Sequence, residues 1–122
     1  MKSASIVRVA VAGLLGLLTT GIALAQNNYS TTFVTITNLV FYSANDGVYP
    51  RYAGAAVVSF ATPVVWAFGG PCATGVVAIR PNDKPLMTAV ETAQATGRPI
   101  QVFVDDSQTV DGVVCWLRAV EM

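Results

Sequence analysis

Three aspartates, Asp105, Asp106 and Asp111, form the densest group of chemically capable side chains in this 122-residue chain. Carboxylates this close together suit two chemistries: calcium coordination through hard oxygen ligands, and the acid and nucleophile pair of a glycosidase. Their spacing does not match an EF-hand loop, and a glycosidase acid needs a raised pKa that a solvated turn does not supply. The chain contains no histidine, which removes the commonest general base, the Ser-His-Asp arrangement and imidazole metal ligation together. No G-x-S-x-G, phosphate-cradling glycine loop or H-E-x-x-H occurs either. The expectation is a non-enzymatic protein with no catalytic residues, no metal and no cofactor.

Binding is the chemistry that remains. Trp66 and Phe68 stand beside Gly69-Gly70, where flat rings in a loop would offer apolar area to a sugar face or would fill the core instead. Tyr29-Ser30 precedes a run of β-branched residues, and a hydroxyl there would meet a ligand or close a local turn. Trp116, next to Cys115 in an apolar run, is read as packing.

Compartment is read from the N-terminus. Lys2 and Arg8, the apolar stretch Val9–Leu18 and the Ala23-Leu24-Ala25 motif have the form of a secretory signal peptide over residues 1–25. Residues 26–122 then form one domain, exported to the periplasm or secreted. Cleavage removes Lys2 and Arg8 from the seven basic residues, leaving five against seven acidic ones, a net charge of −2. With no basic cluster, nucleic acid is not expected as a partner, and no later apolar stretch reaches membrane-spanning length. Cys72 and Cys115 are the only cysteines. An even pair in an oxidising compartment is most simply one disulfide, closing a loop of about 44 residues.

The elements that must position these residues follow from periodicity. Asn27–Ser43 reads as a long strand bent near Asn38, and Ala44–Gly47 supplies hairpin-turn residues. Pro50 and Pro63 divide Val48–Gly70 into a strand on each side of Pro63 with irregular edges. Thr74–Arg80 is a further strand. Asp83 offers an N-cap, Pro85 fits a first helical turn, Leu86, Val90 and Ala93 recur at helical spacing, and Gly97 followed by Pro99 stops the run, so a helix is expected over about 84–96. Ile100–Ser107 alternates as a strand, Asp111-Gly112 is a turn, and Val113–Met122 closes the chain as a strand. The fold class is mainly β: five or six short strands in a small, partly closed barrel, with one helix before the last two strands.

Two segments carry a family resemblance. "PLMTAVETAQATGRPIQVFV" from Pro85 to Val104, and Tyr29-Ser30 upstream of "ITNLVF", resemble the pentameric B subunits of bacterial AB-type toxins, the subtilase cytotoxin and typhoid toxin B-subunit group. The resemblance implies an OB-like β-barrel for residues 26–122. It also implies a role in binding a sialylated glycan, with Ser30 as a sugar ligand and Tyr29 beside it. This chain has fewer cysteines than those subunits, so their pentamer contacts are not carried over. The functional expectation is an exported domain binding a glycan through Tyr29, Ser30, Trp66 and Phe68. The alternative is a periplasmic structural or protein-interaction module with no sugar ligand, whose apolar content favours burial against a protein partner or a homo-oligomer.

Overall fold

A computed structural model describes residues 28–122; the expected signal peptide lies outside them. Among the described residues the chain is mainly β, one six-stranded mixed sheet with one helix. In order its elements are β1 (Asn28–Tyr29), β2 (Ile36–Phe41), β3 (Ala56–Phe60), β4 (Val76–Ile79), α1 (Lys84–Thr96), β5 (Gln101–Val110) and β6 (Val114–Glu121), with a 3₁₀ turn at Pro50–Tyr52 between β2 and β3. The sheet order is β1-β5-β6-β4-β3-β2. Neighbours are antiparallel except β4 and β6, which meet in parallel at Ala78 and Trp116.

The expected barrel does not close. The ladder ends at β1 on one side and β2 on the other, and the single bridge Val34–Ile100 joins the lead-in of β2 to that of β5. Its two backbone hydrogen bonds, 2.7 and 2.8 Å, cannot extend because the exposed Thr31-Thr32-Phe33 segment leaves the strand path. The long first strand is therefore two pieces. A register shift between Ile36 and Asn38 is the expected bend, and it changes which side chains face inward: Val34 and Ile36 are buried, whereas beyond the shift Leu39 turns to the core and Val40 and Phe41 face out. The strand expected after Pro63 is also absent. Between Pro63, which has no N–H to give, and Gly69-Gly70, only the isolated bridge Ser30–Trp66 forms.

Helix α1 obeys its local signals. The Asp83 carboxylate accepts from the Leu86 N–H at 3.5 Å, and Gly97 adopts φ 68° so that the N–H of Arg98 reaches back to Ala93 O at 2.9 Å. Thirteen residues are marginal as an isolated helix. Burial of Val90 and Ala93 against the core holds it, with Leu86 and Met87 at the margin, and a buried valine alone contributes roughly 1.5–3 kcal/mol. That core joins Val58, Ile79, Ile100, Val104 and Leu117 with Cys72 and Cys115, and the two cysteines form the expected disulfide, Cα–Cα 5.4 Å. A second, smaller cluster of Ala78, Val110 and Val114 supports Tyr52, Val76 and Trp116. Among the described residues no helix is long and apolar enough to cross a membrane.

Candidate functional site: a tyrosine cleft

The four residues expected to bind a ligand separate into two pairs. Ser30 is fully buried. Its N–H donates to Val102 O at 2.9 Å and its hydroxyl accepts the Val102 N–H at 3.0 Å, while Gln101 donates from its side chain to Ser30 O at 2.9 Å. The hydroxyl thus takes the place of a ladder acceptor and faces protein. Trp66 is 8% exposed, with its indole N–H donating to Ala73 O at 3.1 Å, so it packs in the core.

Tyr29 and Phe68 do come together. Their rings meet edge to face with centroids 5.7 Å apart, and Phe103, cross-strand from Tyr29, lies 5.9 Å away on the other side. Asn28, a residue that carried no signal in the sequence, organises this strip from a fully buried position. Its side-chain oxygen accepts the N–H groups of Tyr29 and Phe68, and its amide nitrogen donates to Gly69 O at 2.7 Å and to Asp106 at 3.3 Å. Gly70, at φ 93°, lets the loop close over this amide.

The three aspartates do not act as a set. Asp105 and Asp106 lie within β5 at a register irregularity rather than in a turn. Asp105 accepts both N–H and O–H of Ser107 and sits 3.6 Å from Arg80; the Ser107 hydrogen bond holds its carboxyl below the usual range, with burial opposing. Asp106 faces Asn28, and its second oxygen is buried without a partner. Asp111 alone occupies the turn and reaches Arg51. Among the described residues no three acidic, cysteine or histidine side chains gather closely enough to hold a metal ion.

That Arg51–Asp111 contact marks a site that the residue-by-residue reading missed. The loop from Ser43 to Ala55 is tied to itself at each step. Asp46 accepts the N–H of Val48 at 2.9 Å and of Tyr49 at 2.6 Å, an Asx-type closure. Pro50 opens the 3₁₀ turn, Tyr52 N–H returns to Tyr49 O, and Gly54, at φ 76°, donates to Ser43 O. The loop carries two of the chain's four tyrosines, Tyr49 and Tyr52, and a third, Tyr42, immediately precedes it. Tyr42 stacks on Tyr52 with centroids 5.2 Å apart and meets Tyr49 edge-on at 6.0 Å. From the opposite side the β5–β6 hairpin delivers Asp111, with Asp111 and Gly112 both at positive φ as a tight primed turn requires. Its carboxylate takes a 2.8 Å hydrogen bond from Arg51.

Between them lies a cleft of about 200 Å³ lined by Val48, Tyr49, Pro50, Arg51, Tyr52 and Asp111. Tyr49 is 56% exposed, so its side chain is accessible to a ligand. Burial, reinforced by the facing Asp111 carboxylate, pushes the Tyr52 phenol up to about 12, so it remains a neutral donor across the physiological range. The arrangement offers a ring face, guanidinium donors and carboxylate acceptors on a pre-tied frame. It contains no nucleophile paired with a base.

The chain matches no protein-family model, and neither a curated protein nor a solved structure is significantly similar to it.

Proposed function

We propose that the protein is an exported, non-enzymatic binding domain whose ligand is a glycan, held in the tyrosine cleft rather than at Ser30. The observation carrying this reading is the combination of an open Tyr49 ring with the Arg51–Asp111 pair around a cleft sized for a single sugar residue. A sugar ring has an apolar C–H face and a rim of hydroxyls that both give and accept hydrogen bonds, so it needs an aromatic plane flanked by planar polar groups. The hydrogen-bonded loop adds a further advantage, because a site ordered in advance loses little freedom on binding. The disulfide agrees with export, as does the leader motif ending at Ala25. The likeness of Pro85–Val104 to glycan-binding toxin B subunits points in the same direction.

The test is a glycan array followed by calorimetry on the mature protein and on Tyr49→Ala. Removing an exposed ring should leave the fold intact and weaken binding by about tenfold. Binding unaffected by Tyr49→Ala but abolished by Tyr29→Ala or Phe68→Ala would move the site to the β1 strip. A protein that binds no glycan refutes the reading.

A further inference from the structure

We infer that the cleft selects neutral sugars and that Asp111 is the residue excluding acidic ones, an inference that rests on the glycan-binding reading above. Arg51 is the one cation lining the cleft, and it is already matched by Asp111, Nη1 to Oδ1 at 2.8 Å. A ligand carboxylate can claim the guanidinium only by displacing Asp111. That exchange breaks one ion pair to form another, and leaves the aspartate uncompensated beside an incoming group of the same sign. A second negative charge stands close by, since Asp46 holds the N–H groups of Val48 and Tyr49, two of the cleft's own residues.

A neutral sugar leaves the pair intact. The guanidinium has five N–H donors and spends one on Asp111, the carboxylate has further lone pairs, and sugar hydroxyls can satisfy both at once. The Tyr52 phenol, held protonated beside Asp111, adds no charge to the cleft. This selectivity runs opposite to the sialylated ligands that the toxin B-subunit resemblance implies, so the two readings are separable by experiment.

The experiment is calorimetric titration with a matched pair: one neutral oligosaccharide, and the same oligosaccharide capped with a carboxylate-bearing sugar. The protein is titrated as wild type and as Asp111→Asn. Asparagine tolerates the left-handed backbone of this position, φ 56°, so the turn survives the substitution. Wild type should bind the neutral member about threefold more tightly than the capped one, the scale of one solvent-exposed charge contact. Asp111→Asn frees Arg51 and should improve binding of the capped member by a similar factor, so that the wild-type preference for the neutral member disappears. Equal or tighter binding of the capped sugar by wild type overturns the inference while leaving the glycan reading in place. A wild type that binds neither overturns both. The wild-type ratio alone decides the matter if the variant is unstable.

Discussion

Ser30→Ala separates a structural from a ligand-contacting serine, and the hydrogen bonding of Ser30 makes it the former. The Val102 N–H points towards β1, and its partner is the Ser30 hydroxyl at 3.0 Å, within a pair of residues that are both fully buried. Ser30 O, the acceptor an ordinary antiparallel ladder would use, is occupied by the Gln101 side chain. Alanine therefore leaves a buried N–H without a partner, a loss of about 1–3 kcal/mol. The lower end applies if β1 shifts until Ser30 O takes over. For a domain of this size the midpoint of thermal unfolding should fall by roughly 5–20 °C. Urea denaturation and calorimetry read the stability, and titration of a glycan identified on the array reads the binding. The expected result is lower stability with undiminished affinity at temperatures where the variant is folded. An unchanged midpoint with abolished binding would refute the reasoning, since it would make the hydroxyl a ligand contact rather than part of the sheet.

Two further outcomes follow from the same structure. Replacing both disulfide cysteines by alanine releases a constraint across a sequence separation of 43 and should lower stability by about 4 kcal/mol. Denaturant titration should also show a larger slope, because the uncrosslinked chain expands further when unfolded; a loss below about 1 kcal/mol would contradict the chain-entropy account. Tyr52, raised to about 12 in the folded protein, ionises more readily once unfolded, where a phenol titrates near 10. Its contribution to stability is complete below pH 10 and is lost as pH rises from about 10 to 12, because the unfolded chain then binds fewer protons. A spectrophotometric titration should show the Tyr52 phenol ionising at about 12, and Asp111→Asn should lower that value only in part, because burial, the larger cause, remains.

What was legible in the sequence was local. Helix α1 could be placed at 84–96 because Asp83, Pro85 and Gly97 each act within a few residues of themselves, and the turn at Asp111-Gly112 rests on backbone preference alone. The disulfide followed from parity and compartment. Features that depend on tertiary partners were not legible. Alternation cannot say which face of a two-residue strand is inward, and Ser30 is buried because β5 on one side and residues 65–67 on the other both bond to its segment. Closure of the barrel failed for a similar reason, since the run from Asn27 to Ser43 reads as β throughout while Thr31–Phe33 pairs with no strand. The cleft was hidden by distance, for Arg51 and Asp111 stand 60 positions apart. Its one local trace was the crowding of Tyr42, Tyr49 and Tyr52 in a stretch otherwise broken by proline and glycine.

The two halves of the cleft are held by different means, and this explains how a modest domain keeps an open site. The tyrosine half is rigid through its own hydrogen bonds and through Tyr52, which rests on Ala78, Val110 and Val114. The Asp111 half projects on a hairpin tip with little packing of its own, but the chain beyond it is fastened at once. Val113 O accepts the Ala73 N–H at 2.7 Å, and Cys115 is bonded to Cys72. The disulfide therefore sits four residues from the proposed selectivity residue, which places its effect on the position of Asp111 as well as on the unfolded chain. Exposed side chains aimed at a ligand add little to stability and lose freedom on binding. Fastening the backbone on both sides of the cleft limits that loss to the side chains themselves, which is what a preformed site for a small, weakly apolar ligand requires.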